Sequence, residues 1–235
     1  MNINDYFNKI NDNCQKIFKE TLADTASFGK VHHLSSCIFE FSENLTDKNE
    51  SNLLRAVSSQ IEASALSLSL GLYRQAFSSL RLALELGLGT VHFSLFKLEH
   101  HEWLIGKNDI KWSKLINEEN GVLSQRLTTA FFPELNAHIK EYNDKASNVY
   151  RKLSEFVHGN YETWEKSGLL LKKNDELILR YFRNLESVKE VLLFSLCCRY
   201  MKTMTMAQLE IMQFISEDLG HVEPIRILTG GPKEK

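Results

Sequence analysis

Only three prolines occur in 235 residues, at Pro133, Pro224 and Pro232, so residues 1 to 132 are without the strongest helix breaker. Long helices are allowed throughout that stretch. No apolar run approaches the roughly 18 to 20 residues needed to cross a bilayer, which argues against a membrane-spanning helix. The opening segment MNINDYFNKINDN is too polar for a secretory leader, and we therefore expect a soluble, cytoplasmic protein with no membrane partner.

Charge of one sign is not in excess either. Twenty-eight Lys and Arg against thirty Asp and Glu give a formal net charge of −2, so no overall basic field draws the chain to nucleic acid, and any such contact must be local. The four cysteines, Cys14, Cys37, Cys197 and Cys198, show no CxxC spacing and read as buried small hydrophobes rather than metal ligands or disulfides. His32/His33 and His100/His101 are adjacent pairs, which on a helix point about 100° apart and cannot clamp one ion. We expect no metal and no cofactor. A Gly-rich phosphate loop, a paired-carboxylate motif and a zinc spacing are all missing, which removes the enzyme classes that depend on them.

Apolar residues recur at helical spacing along most of the chain. The spacing predicts helices over Asn4 to Thr21 and Val31 to Phe41, then a nearly continuous pattern from Asn52 to Phe96 with a break at Gly71. A connection with one short helix follows. Pro133 starts a helix expected to run unbroken to His158 and to stop at Gly159. The segment SGLLLKKNDELILR has apolar stretches around a Lys-Asn-Asp turn, and residues 168–179 are expected to form the one small β-hairpin of the chain. A last helix is predicted from Tyr181 to Asp218, central because it is apolar on most faces around VLLFSLCC. No linker interrupts the chain. The expectation is an all-α antiparallel bundle of about five to seven helices, one domain over residues 1–219, followed by an extended or disordered tail at 220–235.

The chemistry concentrates between Leu135 and His158. On a helical wheel Leu135, Ile139, Tyr142, Ala146, Val149, Leu153, Phe156 and Val157 form an apolar side, with Lys140, Asp144, Ser147, Arg151, Glu155 and His158 opposite. Arg151 and His158, seven residues apart, fall within about 20° on one stripe. A solvated face explains this as well: Arg151 paired with Glu155 at i, i+4 would contribute only about 0.2 to 0.5 kcal/mol and nothing else.

The phrase YRKLSEFVHGNYETW resembles the signature of the HEPN superfamily, the helical domains of many prokaryotic toxin, abortive-infection and CRISPR-linked ribonucleases. That family is marked by an arginine followed, after four to six residues, by a histidine on one late helix; Arg151 and His158 have six between them. An earlier segment, GLYRQAFSSLRLALELGL, is similar to the family's preceding helix, and its Arg81 and Glu85 are expected to be a structural pair inside the bundle because their neighbours are apolar. Lys152 departs from the Asn, Asp or His that often follows the arginine in nucleases of the family.

The resemblance implies a metal-independent endoribonuclease, acting as a toxin or antiviral effector, with a composite site across a homodimer. Arg151 and His158 would be catalytic, with Lys152, Ser154 and Glu155 binding RNA or supporting them. Histidine titrates near neutrality and suits proton transfer, while arginine grips phosphate through two N–H groups. RNA is the expected partner, together with a second copy and an antitoxin or other defence-system protein. Two other functions stay open: a non-catalytic HEPN-fold protein binding a nucleotide or a partner protein, and a helical scaffold or regulatory subunit.

Overall fold

The computed structural model describes residues 2–159 and 171–233. Among them every regular element is helical, and no helix is long and apolar enough to cross a membrane. The long helices come in order as α1 (Ile3–Thr21), α2 (Thr25–Glu43), α3 (Lys48–Ser69) and α4 (Tyr73–Leu95). Three short ones follow, α5 (Lys97–Leu104), α6 (Trp112–Leu115) and α7 (Gln125–Phe131). Then come α8 (Ile139–His158), α9 (Asp175–Tyr200), α10 (Met206–Ile211), α11 (Phe214–Leu219) and α12 (Glu223–Leu228). The described residues thus hold twelve α-helices against the five to seven expected, because the connections and the C-terminal segment contribute short helices of their own.

The α3–α4 turn is built as the sequence predicts. Gly71 has φ 77°, its N–H reaches the Leu68 carbonyl at 3.0 Å, and the Leu72 N–H reaches Ser67 at 2.9 Å, which is a Schellman closure. A side chain at Gly71 would also start 2.8 Å from Ile17 Cδ1. Gly71→Ala is therefore expected to cost about 1 to 2 kcal/mol of left-handed strain. A thermal melt should fall by about 2 to 8 °C; an unchanged melt would show that the turn relaxes to another geometry.

α9 runs through the centre. Every residue from Val191 to Cys198 is buried, and α4, α8, α7 and α2 pack around it. α4 and α8 lie antiparallel, since Phe77 stacks on Phe156 at 3.8 Å while Arg81, further along α4, bonds Tyr150, further back on α8. This pair of contacts positions the polar stripe of α8 relative to the core.

Four expectations are corrected. The hairpin does not form in its described part: residues 175–179 are the first turns of α9, residues 171–174 have no regular structure, and residues 168–170 lie outside the described residues. The helix wins because the Asn174 side chain caps the Leu177 N–H, Asp175 and Glu176 sit at the positive end of the dipole, and Leu177 and Tyr181 face the core. The helix from Pro133 is not uniform; Pro133–His138 is a 3-10 turn and the α-helix begins at Ile139, held there by buried Phe132 and Leu135. The last helix ends at Tyr200 rather than Asp218, because Thr205 and Gln208 form a capping box that starts a new helix. The expected tail folds too: Pro224 opens α12, and Val222 and Ile225 are buried.

Candidate functional site

α8 carries the candidate residues. Its buried side is Ile139, Tyr142, Asn143, Ala146, Val149, Leu153 and Phe156, and this fixes the rotation of the whole helix. Val157, placed by the wheel with the apolar side, is instead 39% exposed beside His158. Arg151, Lys152 and His158 are all exposed, and Lys140 and Asp144 continue the same stripe toward the N-terminal end. There Lys140 and Asp144 border a cleft of about 270 Å³, shared with Glu118, Gln125 and Asn143.

His158 is the last residue of α8, and Gly159 closes the helix in the left-handed conformation at φ 67°, as the sequence predicts. Arg151 lies two turns earlier, a rise of roughly 10.5 Å. The i, i+4 bond from Arg151 to Glu155 does not form. Glu155 Oε2 accepts instead from Arg180 of α9 at 2.6 Å, and the Arg180 guanidinium covers the Phe156 ring at 4.9 Å. The competing partner wins because it is held across the interface by the ring beneath it. Arg151 makes no ion pair with a described residue. Ser154, expected as a supporting group, donates its hydroxyl to the Tyr150 carbonyl at 2.7 Å and leaves only its oxygen lone pairs available.

Behind the stripe, Arg81 and Glu85 pair at 3.1 Å with side chains 15% and 21% exposed. Arg81 also donates to the Tyr150 hydroxyl at 2.6 Å, and Tyr150 stacks on Trp112 of α6 at 3.7 Å. Burial, with Glu85 nearby, pushes the Tyr150 phenol up, so it stays neutral at physiological pH. The neighbour of Arg151 is thereby fixed by one hydrogen bond and one ring stack, and Arg81 serves α8 as a brace. Sequence reasoning missed Tyr150, Trp112 and Arg180: nothing local marks two aromatics 38 residues apart as a stack.

The arrangement presents one guanidinium with no ion pair to a described residue and one imidazole on an exposed helical stripe, groups whose chemistry suits phosphate binding and proton transfer. Residues able to hold a metal converge elsewhere, at His33, Cys37 and Asp218. Comparison with protein-family models, curated proteins and solved structures finds no match.

Proposed function

We propose that this chain is a metal-independent endoribonuclease of the HEPN kind, a toxin or antiviral effector whose site is shared between two copies. The observation that carries the reading is the partner exchange at Glu155: the acid that would neutralise Arg151 is bound to Arg180, and Arg151 stays exposed on the stripe of His158. A solvated ion-pair face does not require that separation. A phosphate-binding face does.

One chain offers one cation and one imidazole about 10.5 Å apart along the helix axis. A twofold axis crossing α8 near Ser154 sets a second α8 antiparallel, and His158 of the second copy then lies against Arg151. The doubled site has two imidazoles and two guanidinium groups. One imidazole takes the proton of the RNA 2′-hydroxyl as that oxygen attacks the adjacent phosphorus, and the other gives a proton to the departing 5′-oxygen. Arg151 holds the phosphate oxygens as charge builds on them, and Lys152 and Lys140 add positive potential along the strand. The products are a 2′,3′-cyclic phosphate and a 5′-hydroxyl.

Purified full-length protein incubated with a mixed RNA pool in EDTA is expected to cut, with cyclic phosphate at the new 3′ ends. Intact RNA, or ends bearing 5′-phosphate, would overturn the reading. Lys152, directly after Arg151, favours a second reading in which the same twofold face binds a nucleotide or a partner protein without cutting. An RNA-inactive chain that still dimerises through α8 would select it.

A further inference from the structure

Away from the α8 stripe, one cluster among the described residues brings three metal-ligating side chains to a point. His33 and Cys37 stand four apart on α2, one above the other, and Asp218 reaches them from α11. Cys37 Sγ is 3.5 Å from His33 Nε2, and Asp218 Oδ2 is 2.8 Å from that same nitrogen. All three ligand atoms lie within 4.8 Å of one another.

The shared nitrogen decides between two kinds of site. A proton relay to a nucleophilic thiol needs the carboxylate on one ring nitrogen and the sulfur on the other. Here both partners face Nε2, which carries one proton or one lone pair and cannot make a full linear hydrogen bond to both. A cation at the centre serves all three. We propose that His33, Cys37 and Asp218 bind one divalent transition-metal ion of the zinc class, joining α2 to α11.

The dimensions fit such an ion. Zinc bonds of about 2.3 Å to sulfur and about 2.0 Å to nitrogen, at a tetrahedral angle, separate the two ligand atoms by about 3.5 Å. That is the observed Cys37–His33 spacing. The Asp218 oxygen has to move about half an ångström away from the ring when the proton between them leaves, and its edge to Cys37 Sγ, bounded at 4.8 Å, closes to about 3.5 Å around the ion. A thiolate, an imidazole and a carboxylate together suit zinc far better than magnesium or calcium, which take oxygen ligands. The side chain of His33 is 41% exposed, which gives the ion an entry path and room for water at the fourth position.

The surroundings orient the carboxylate. Lys189 of α9 holds the other Asp218 oxygen at 2.8 Å and Glu186 at 2.9 Å, which orients the carboxylate from outside the ligand set. The site is independent of the nuclease reading. Along α9, Lys189 lies nine residues, roughly 13 Å, from Arg180, which contacts α8.

The test is a Co²⁺ titration of the chelator-treated full chain, read by absorbance. One equivalent is expected to raise a thiolate-to-cobalt band in the near ultraviolet with visible bands of four-coordinate cobalt, and Zn²⁺ should bleach both. Cys37→Ser removes the near-ultraviolet band. His33→Asn, at a half-exposed position, should fold normally by circular dichroism and weaken binding by at least about 10-fold to 100-fold. Asp218→Asn should do the same. No saturable band, a band that survives Cys37→Ser, or an affinity unchanged by His33→Asn would each overturn the proposal. If Cys37→Ser fails to fold, the His33→Asn titration decides alone.

Discussion

His158→Ala is expected to lower RNA cleavage by about 100-fold to 10,000-fold, the usual worth of a positioned proton donor or acceptor, and Arg151→Ala by about 100-fold to 1,000-fold, the worth of one group that holds developing charge. Folding should not suffer. Both side chains are exposed, so truncation opens no cavity and changes stability by no more than about 0.5 kcal/mol. In a melt that is about 1 to 2 °C. The pairing of a large rate loss with an unmoved melt separates a chemical role from a structural one, and Glu155→Ala sharpens the contrast. That substitution breaks a half-exposed bond to Arg180 worth at most about 1 kcal/mol and leaves Arg151 in place, so cleavage should change little. Variants of Arg151 and His158 that cleave like the parent would remove the stripe from the chemistry, and a binding or scaffold role would take its place. A loss that follows Glu155→Ala as strongly as His158→Ala would instead make the Arg180 contact part of the site.

Where the sequence is self-sufficient, its physics is local. Gly71 marks a turn because glycine adopts its left-handed backbone angle without strain, and Gly159 ends α8 for the same reason. The buried side of α8 follows from spacing except at Val157, which is exposed, and Asn143, which is buried, and with it follows the exposure of Arg151 and His158. Signals for other boundaries are present but weaker. Thr205 and Gln208 spell a capping box inside a run of apolar residues, and Asn174 before Asp175 and Glu176 spells a helix start that also reads as a hairpin turn. What is illegible is pairing across distance. Glu155 has an arginine four residues back and binds another 25 residues ahead, because the ring of Phe156 lies under the second. His33 and Cys37 carry a visible i, i+4 spacing that inspection of adjacent histidines passes over, while Asp218 is brought to them only by the packing of α11.

The position of the stripe rests on one aromatic contact near its end, and breaking it should have the largest effect on stability. Phe156 is fully buried, its ring lies parallel to Phe77 with centroids 3.8 Å apart, and the Arg180 guanidinium closes its edge of the interface. Only Leu153 and Phe156 are buried in the last turns of α8, so Phe156 is the nearest anchor to His158. Phe156→Ala removes the ring and leaves a cavity against Phe77, at a cost of about 3 to 5 kcal/mol. The melting temperature should fall by about 6 to 20 °C for a chain of this length. Cleavage should also fall at temperatures where the variant is still folded, since the turn carrying His158 loses its fixed orientation. Val157→Ala is the matched comparison: it shortens a side chain one residue away that is 39% exposed, and should move the melt by less than about 2 °C. If Phe156→Ala and Val157→Ala melt alike, the Phe77 stack does not hold the end of α8. If Phe156→Ala melts early but cuts at the parent rate in the cold, the orientation of His158 is set by Gly159 and the helix backbone rather than by the core beneath it.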